Sequence, residues 1–147
     1  MPGQMVYLDS SALVKRYIKE KGTDIVDGVF QNAESNSVII YSSLWNIGEV
    51  TEVFDRYDRE KVIKFSEVLG KFLNEVERLS SKGSFEIVNI NSALIKGATD
   101  YAIRHHIYIA DALQLASCKS MGCNNFLTAD KKLNEAAMKE KINSILL

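Results

Sequence analysis

Three apolar runs, each only four residues long, constrain this chain most: MVYL at 5–8, VIIY at 38–41 and IYIA at 107–110. A run this short cannot cross a bilayer, which takes roughly 20 apolar residues. The first two run apolar without alternation, the pattern of a strand covered on both faces. MVYL and VIIY are separated by amphipathic stretches of helical period: Ala12, Leu13, Tyr17 and Ile18 before Gly22, then Ile25, Val26, Val29, Phe30 and Ala33. Strands alternating with helices imply an α/β fold, a three-layer α/β/α sandwich around a mostly parallel sheet.

The remaining elements follow the same logic. Ser42 and Ser43 open a helix bearing Leu44, Ile47, Val50 and Phe54 on its apolar face, and Asp58 is placed to cap the next one. That next helix carries Val62, Phe65, Leu69, Phe72, Val76 and Leu79 at spacings of three and four, a seam that needs a partner helix. The preceding helix is the expected partner; a second subunit or another protein is the alternative. A strand is expected over 85–90, a helix from Asn91 or Ser92 to about Arg104, a helix over 111–121, a strand over 125–128, a helix over 131–141 and a last strand over 142–147. No repeat or linker divides the chain, so residues 5–147 read as one domain after a leader at 1–4 that is frayed or a tag remnant.

Composition excludes several functions. With 18 Lys+Arg against 19 Asp+Glu, the net charge of -1 cannot support nucleic-acid binding by bulk charge. Cys118 and Cys123 have no zinc-like spacing to His105 and His106, and nothing demands an oxidising compartment. With no signal peptide or membrane span in the pattern, the expected location is the cytoplasm.

In a parallel sheet the ligand site lies beyond the carboxyl ends of the strands. Asp9 ends the first strand and Asp130 follows the FLT strand by two residues. Glu49 lies two turns into the Ser42 helix, and Asp111 begins its own helix. Taken singly, Asp111 and Asp130 read better as a first-turn acid and a helix cap, Asp9 could itself be only a helix cap, and Glu52 competes with Glu49. Taken together, four converging carboxylates repel one another until a cation joins them, and an all-oxygen donor set suits Mg2+ or Mn2+.

Four segments carry a resemblance: VYLDSSALVK at 6–15, SSLWNIGEV at 42–50, IADALQLA at 109–116 and FLTADKKL at 126–133. In order and spacing they resemble the successive motifs of PIN-domain nucleases, most of all the small VapC-type toxins, over essentially the whole chain from Met5. The resemblance implies a metal-dependent endoribonuclease, with Asp9, Glu49, Asp111 and Asp130 as catalytic acids and Mg2+ or Mn2+ ligands. Ser11 and Thr128 match the family's hydroxyls that orient carboxylates or bound water. A small antitoxin, a homodimer and an RNA substrate are the partners it implies.

Lys15, Arg16, Lys131 and Lys132 are the nearest cations to these acids and the candidate phosphate contacts, with surface solubilisation the competing role. Trp45 and Tyr41 are candidates for base stacking or for the core. The rival readings are a solitary RNA-processing nuclease of the same family, a non-cutting binding module, and an aspartyl phosphatase or receiver domain. A haloacid-dehalogenase-like phosphatase needs a second Asp two residues after the first, where this chain has Ser11. A receiver domain needs adjacent acids near its start, which are missing around Asp9.

Overall fold

A computed structural model describes residues 3–147; Met1 and Pro2, half of the expected leader, lie outside the described residues. Gln4 already belongs to the first strand, its N–H donating to the Ser37 carbonyl at 3.0 Å. The elements are β1 (Gln4–Leu8), α1 (Ser10–Tyr17), α2 (Thr23–Glu34), β2 (Val38–Ser43), α3 (Leu44–Arg59) and α4 (Phe65–Ser81). They continue as β3 (Phe85–Val88), α5 (Ser92–His105), α6 (Ile109–Ser120), β4 (Asn125–Thr128), α7 (Lys131–Lys139) and β5 (Asn143–Leu146).

All five strands are parallel, in the order β3-β2-β1-β4-β5. Going from β1 to β2 to β3 the chain steps one way across the sheet; going to β4 and β5 it steps the other way. Right-handed crossovers therefore place α1–α4 on one face and α5–α7 on the other. The side chains of β1 divide accordingly. Val6 and Leu8 join Leu13, Phe30, Ile40, Phe54 and Phe72 in one core, while Tyr7 joins Leu115, Phe126 and Leu133 in the other. Buried on both faces, β1 has no room for polar alternation, which is why its sequence runs apolar.

The seam on α4 finds its partner inside the chain. Tyr17 packs edge-on to Phe30, Phe54 and Phe72, with centroids 6.5, 5.9 and 5.3 Å away, and Phe54 is edge-on to Phe72 at 5.9 Å. The Tyr17 hydroxyl leaves this apolar cluster to donate to Glu75 Oε1 at 2.8 Å, beside the Arg16 guanidinium. Burial alone would raise the Glu75 carboxyl, but the hydrogen bonds from Arg16 and Tyr17 outweigh it and hold that carboxyl below its usual range.

Val62 does not belong to the seam. It is 58% exposed in the α3–α4 connection, where Lys61 adopts a positive φ of 59°. The α4 helix starts only at Phe65, whose N–H donates to Asp58 Oδ1 at 3.0 Å, so Asp58 does serve the helix it was expected to cap. β3 stops at Val88 rather than running on to Ile90.

Phe72 is fully buried, with rings on two sides. Phe72→Ala should lower unfolding stability by about 3–5 kcal/mol in urea titrations, the cost of a large unfilled core site. A loss below about 1 kcal/mol would show that the α4 seam does not hold the first core together.

Candidate functional site

The sheet reverses its stepping direction between β1 and β4, and open α/β sheets bind ligands beyond such a switch point. Asp9 emerges there from β1. Its N–H donates to the Leu127 carbonyl at 3.3 Å, extending the β1–β4 pairing by one residue and fixing where the side chain starts. The carboxylate caps α1: Oδ1 accepts from the Ala12 N–H at 2.9 Å and from Ser11 Oγ at 2.6 Å, and Oδ2 accepts from Thr128 Oγ1 at 2.5 Å. The acid itself is thus the cap of α1, and Ser11 braces the acid.

Ser11 and Thr128 are themselves tied down. Ser11 Oγ accepts from the Ala129 N–H at 2.8 Å, and Thr128 Oγ1 accepts from the Asp130 N–H at 3.0 Å. Asp130 in turn caps α7, with Oδ1 accepting from the Leu133 N–H at 3.0 Å, which leaves Oδ2 free of that duty. A short chain of hydrogen bonds thus connects the first acid to the fourth across the sheet.

The other two acids approach on helices. Glu49 lies on α3 and Asp111 in the first turn of α6, both half-buried. Burial lifts the Asp9 carboxyl to about 6, against three hydrogen bonds that pull it down, and the charge of Asp111 adds to the rise. Glu49 is raised first by burial and then by the charges of Asp9 and Asp111, with Ser10 and Trp45 pulling it back. Asp111 is raised by burial and by Asp130, and Lys132 offsets part of this. Each of the four acids is therefore within the field of at least one other.

In this conformation no three Asp, Glu, His or Cys side chains among the described residues close into a ligand shell. The donor chemistry nevertheless fits a hard divalent ion: carboxylate oxygens alone, one of them 5% exposed and without any ion-pair partner among the described residues. Like charges hold such groups apart until a cation draws them together.

Beneath the acids lies a buried polar layer that sequence reasoning missed. The Tyr7 hydroxyl donates to Gln114 Oε1 at 2.6 Å. In the orientation that satisfies both ends of its amide, Asn46 donates to Gln114 Oε1 at 2.8 Å and to Glu49 Oε1 at 3.3 Å, and accepts from the Ser43 N–H at 3.3 Å. Its signal was present: Asn46 stands three residues before Glu49, and Gln114 three after Asp111, each a polar residue on the helix face that carries the acid.

The candidate phosphate contacts divide. Lys15 is buried and paired with Glu20 at 3.0 Å; Arg16 is paired with Asp27 at 2.7 Å and Glu75 at 2.9 Å. Arg16 lines a groove with Tyr17, Lys71, Asn74, Glu75 and Arg78 that includes none of the four acids. Lys131 and Lys132 stay exposed beside Asp130, with Lys132 Nζ donating to the His106 carbonyl at 2.6 Å. Tyr41 is buried, whereas Trp45 is 49% exposed.

The PIN domain family model matches residues 6–139. Solved structures share the fold at low identity. VapC20 of Mycobacterium tuberculosis, described as a toxin cleaving the sarcin-ricin loop, superposes with a TM-score of 0.68 at 16% identity, covering 89% of this chain and 94% of that one. A Pyrobaculum aerophilum protein, PAE2754, gives 0.64 at 16% identity over 92% and 81%. VapBC2 of Rickettsia felis, solved bound to a promoter DNA fragment, gives 0.60 at 14% identity over 98% of both chains. No curated protein matches by sequence.

The pH dependence of the metal-free protein follows from Asp9. Its folded value near 6 lies above the ordinary 3.8, so the folded state holds the proton more tightly than the unfolded state. The destabilisation is absent below pH about 4, grows from there to pH about 6, and is complete above that, amounting to roughly 3 kcal/mol. In EDTA, Asp9→Asn should therefore raise the melting temperature at pH 8 and leave it near wild type at pH 4. An equal shift at both pH values would contradict a buried carboxylate that burial holds above its ordinary range.

Proposed function

The chain belongs to the PIN-domain family, and from that membership we propose that it is a Mg2+- or Mn2+-dependent endoribonuclease, the toxin of a type II toxin–antitoxin pair. One observation carries the reading. Asp9, at the switch point of the sheet, is a buried carboxylate that three hydrogen bonds do not relieve, within the field of Asp111 and with no ion-pair partner among the described residues. Such an arrangement costs stability and repays it only when a cation arrives.

Asp9, Glu49, Asp111 and Asp130 would hold the ion through oxygen alone; bound there, it would lower the pKa of an attacking water and neutralise charge on the scissile phosphate. Ser11 and Thr128 fix the orientation of Asp9, so that both of its oxygens start from one geometry. Glu49, raised by its surroundings and steadied by the Asn46 amide, is the group suited to accept the proton of the attacking water. Lys131 and Lys132 take the substrate's phosphates. Lys15 and Arg16 are held by structural ion pairs and serve the scaffold first.

The structural likeness to the toxins, at low identity, supports the fold alone. The antitoxin and a homodimer enter the reading through the resemblance in the four motifs, together with the existence of VapBC2 as a solved neighbour. An antitoxin cannot use the α4 seam as expected from sequence spacing, because Phe72, Val76 and Leu79 are already buried within the chain.

With end-labelled RNA and Mg2+, the wild-type protein should cut internally and EDTA should stop it. Asp9→Asn and Asp111→Asn should each lower the rate about a thousandfold or more. Thr128→Val, which removes the hydroxyl that steadies Asp9 and accepts from the Asp130 N–H, should lower it about 10- to 100-fold. Undiminished cleavage by Asp9→Asn would overturn the assignment.

A further inference from the structure

One face of α3 bears Trp45, Gly48, Glu49 and Glu52, spaced at three and four residues. With Leu44 on the same helix and Ile90 from the segment after β3, this face lines a cavity of about 360 Å3. The volume is near the lower end for small-ligand pockets. Its walls are apolar and aromatic except for two carboxylates, and one of those, Glu49, belongs to the acidic site already described. Whatever occupies the cavity therefore lies directly beside Glu49.

We infer that this cavity is a nucleobase pocket, and that it selects an unpaired guanine next to the cleaved phosphate. The inference rests on the endoribonuclease reading and names a substrate feature within it. Trp45 is 49% exposed, and Leu44 is 51% exposed beside it. An exposed indole at a nucleic-acid site is a stacking platform for a base with no partner strand. Glu52 is exposed, one turn beyond Glu49, and its two oxygens can accept two parallel hydrogen bonds. Among the four bases only guanine offers two adjacent N–H donors, its N1–H and its amino group, to match that fork. Adenine and cytosine offer the amino group alone, and uracil one ring N–H.

Gly48 keeps the pocket open. A Cβ built on it meets nothing within 4 Å, so the absent side chain leaves space over the floor of the cavity and answers no packing need of the fold. A glycine in mid-helix costs stability relative to alanine by about 1 kcal/mol. Here that loss coincides with room for a ligand. Larger residues at position 48 would fill the cavity without disturbing the core.

The protein has a single tryptophan, so its fluorescence reports on this pocket alone. In Mg2+, guanosine monophosphate should quench Trp45 emission with an affinity about tenfold above that of adenosine monophosphate. Gly48→Leu should abolish the quenching and raise the KM for single-stranded, guanine-containing RNA about tenfold, with a smaller change in kcat. Glu52→Gln should bring the two nucleotides to equal affinity. Trp45→Ala, a change on an exposed face, gives the same KM readout should Gly48→Leu fail to fold.

Absence of quenching by either nucleotide, or an unchanged KM in both the Gly48 and Trp45 variants, overturns the pocket. So does a change in oligomeric state by light scattering in Gly48→Leu with RNA handling unaltered, since a second copy of the chain would then be the occupant. Quenching by guanosine monophosphate in a protein that cuts no RNA would uphold the pocket and refute the endoribonuclease reading; cleavage without quenching would do the reverse.

Discussion

The arrangement at the carboxyl ends of the strands depends on the Asp9 carboxylate and the way it is held between β1 and β4. Its backbone continues the parallel pairing, its Oδ1 caps α1, and its Oδ2 takes the hydroxyl of Thr128 from the neighbouring strand. One side chain thereby joins the end of the central strand, the start of the first helix and the strand across the switch point. The helix layers on the two faces supply the stability, from a core around Phe30, Phe54 and Phe72 and another around Leu115, Phe126 and Leu133. Against that reserve the protein can maintain a site that, without a ligand, is unfavourable.

The balance of forces at Asp9 shows why hydrogen bonds alone do not settle the site. Three donors favour the charged form, yet the carboxyl still lies near 6 because desolvation outweighs them and Asp111 adds repulsion. Glu49 and Asp111 are displaced in the same direction for the same reasons. At Glu75 the contest ends the other way: Arg16 stands beside it, and the carboxyl drops below its usual range despite burial. The two carboxylates thus differ by a directly paired cation: Glu75 has Arg16, while Asp9, at the switch point, has no ion-pair partner among the described residues.

Much of the architecture was legible because the physics is local. Continuous apolar runs mark strands buried on both faces, and helical periodicity separates them; both patterns survive into the parallel sheet. Asp9, Asp111 and Asp130 could be placed from the chain pattern at a strand end and at helix starts, and Glu49 from its position on the helix after the second strand. What escaped depended on distant contacts. Val62 fits the heptad spacing but falls in a turn fixed by the backbone at Lys61. Lys15 and Arg16 look available along the chain, yet Glu20, Asp27 and Glu75 claim them. Asn46 and Gln114 read as polar interruptions of apolar helix faces, and only the fold shows them meeting beneath the acids.

The central claim is that the buried acids form an incomplete cation site whose protons give way to metal. Calorimetric titration of the wild-type protein with Mn2+, repeated in buffers of different ionisation enthalpy, counts the protons released per ion bound. At pH 6, where Asp9 is part-protonated, binding should release protons; at pH 8 the release should fall towards zero, and Asp9→Asn should bind weakly at both. Equal affinity in wild type and Asp9→Asn, or binding with no proton release at pH 6, would contradict the account.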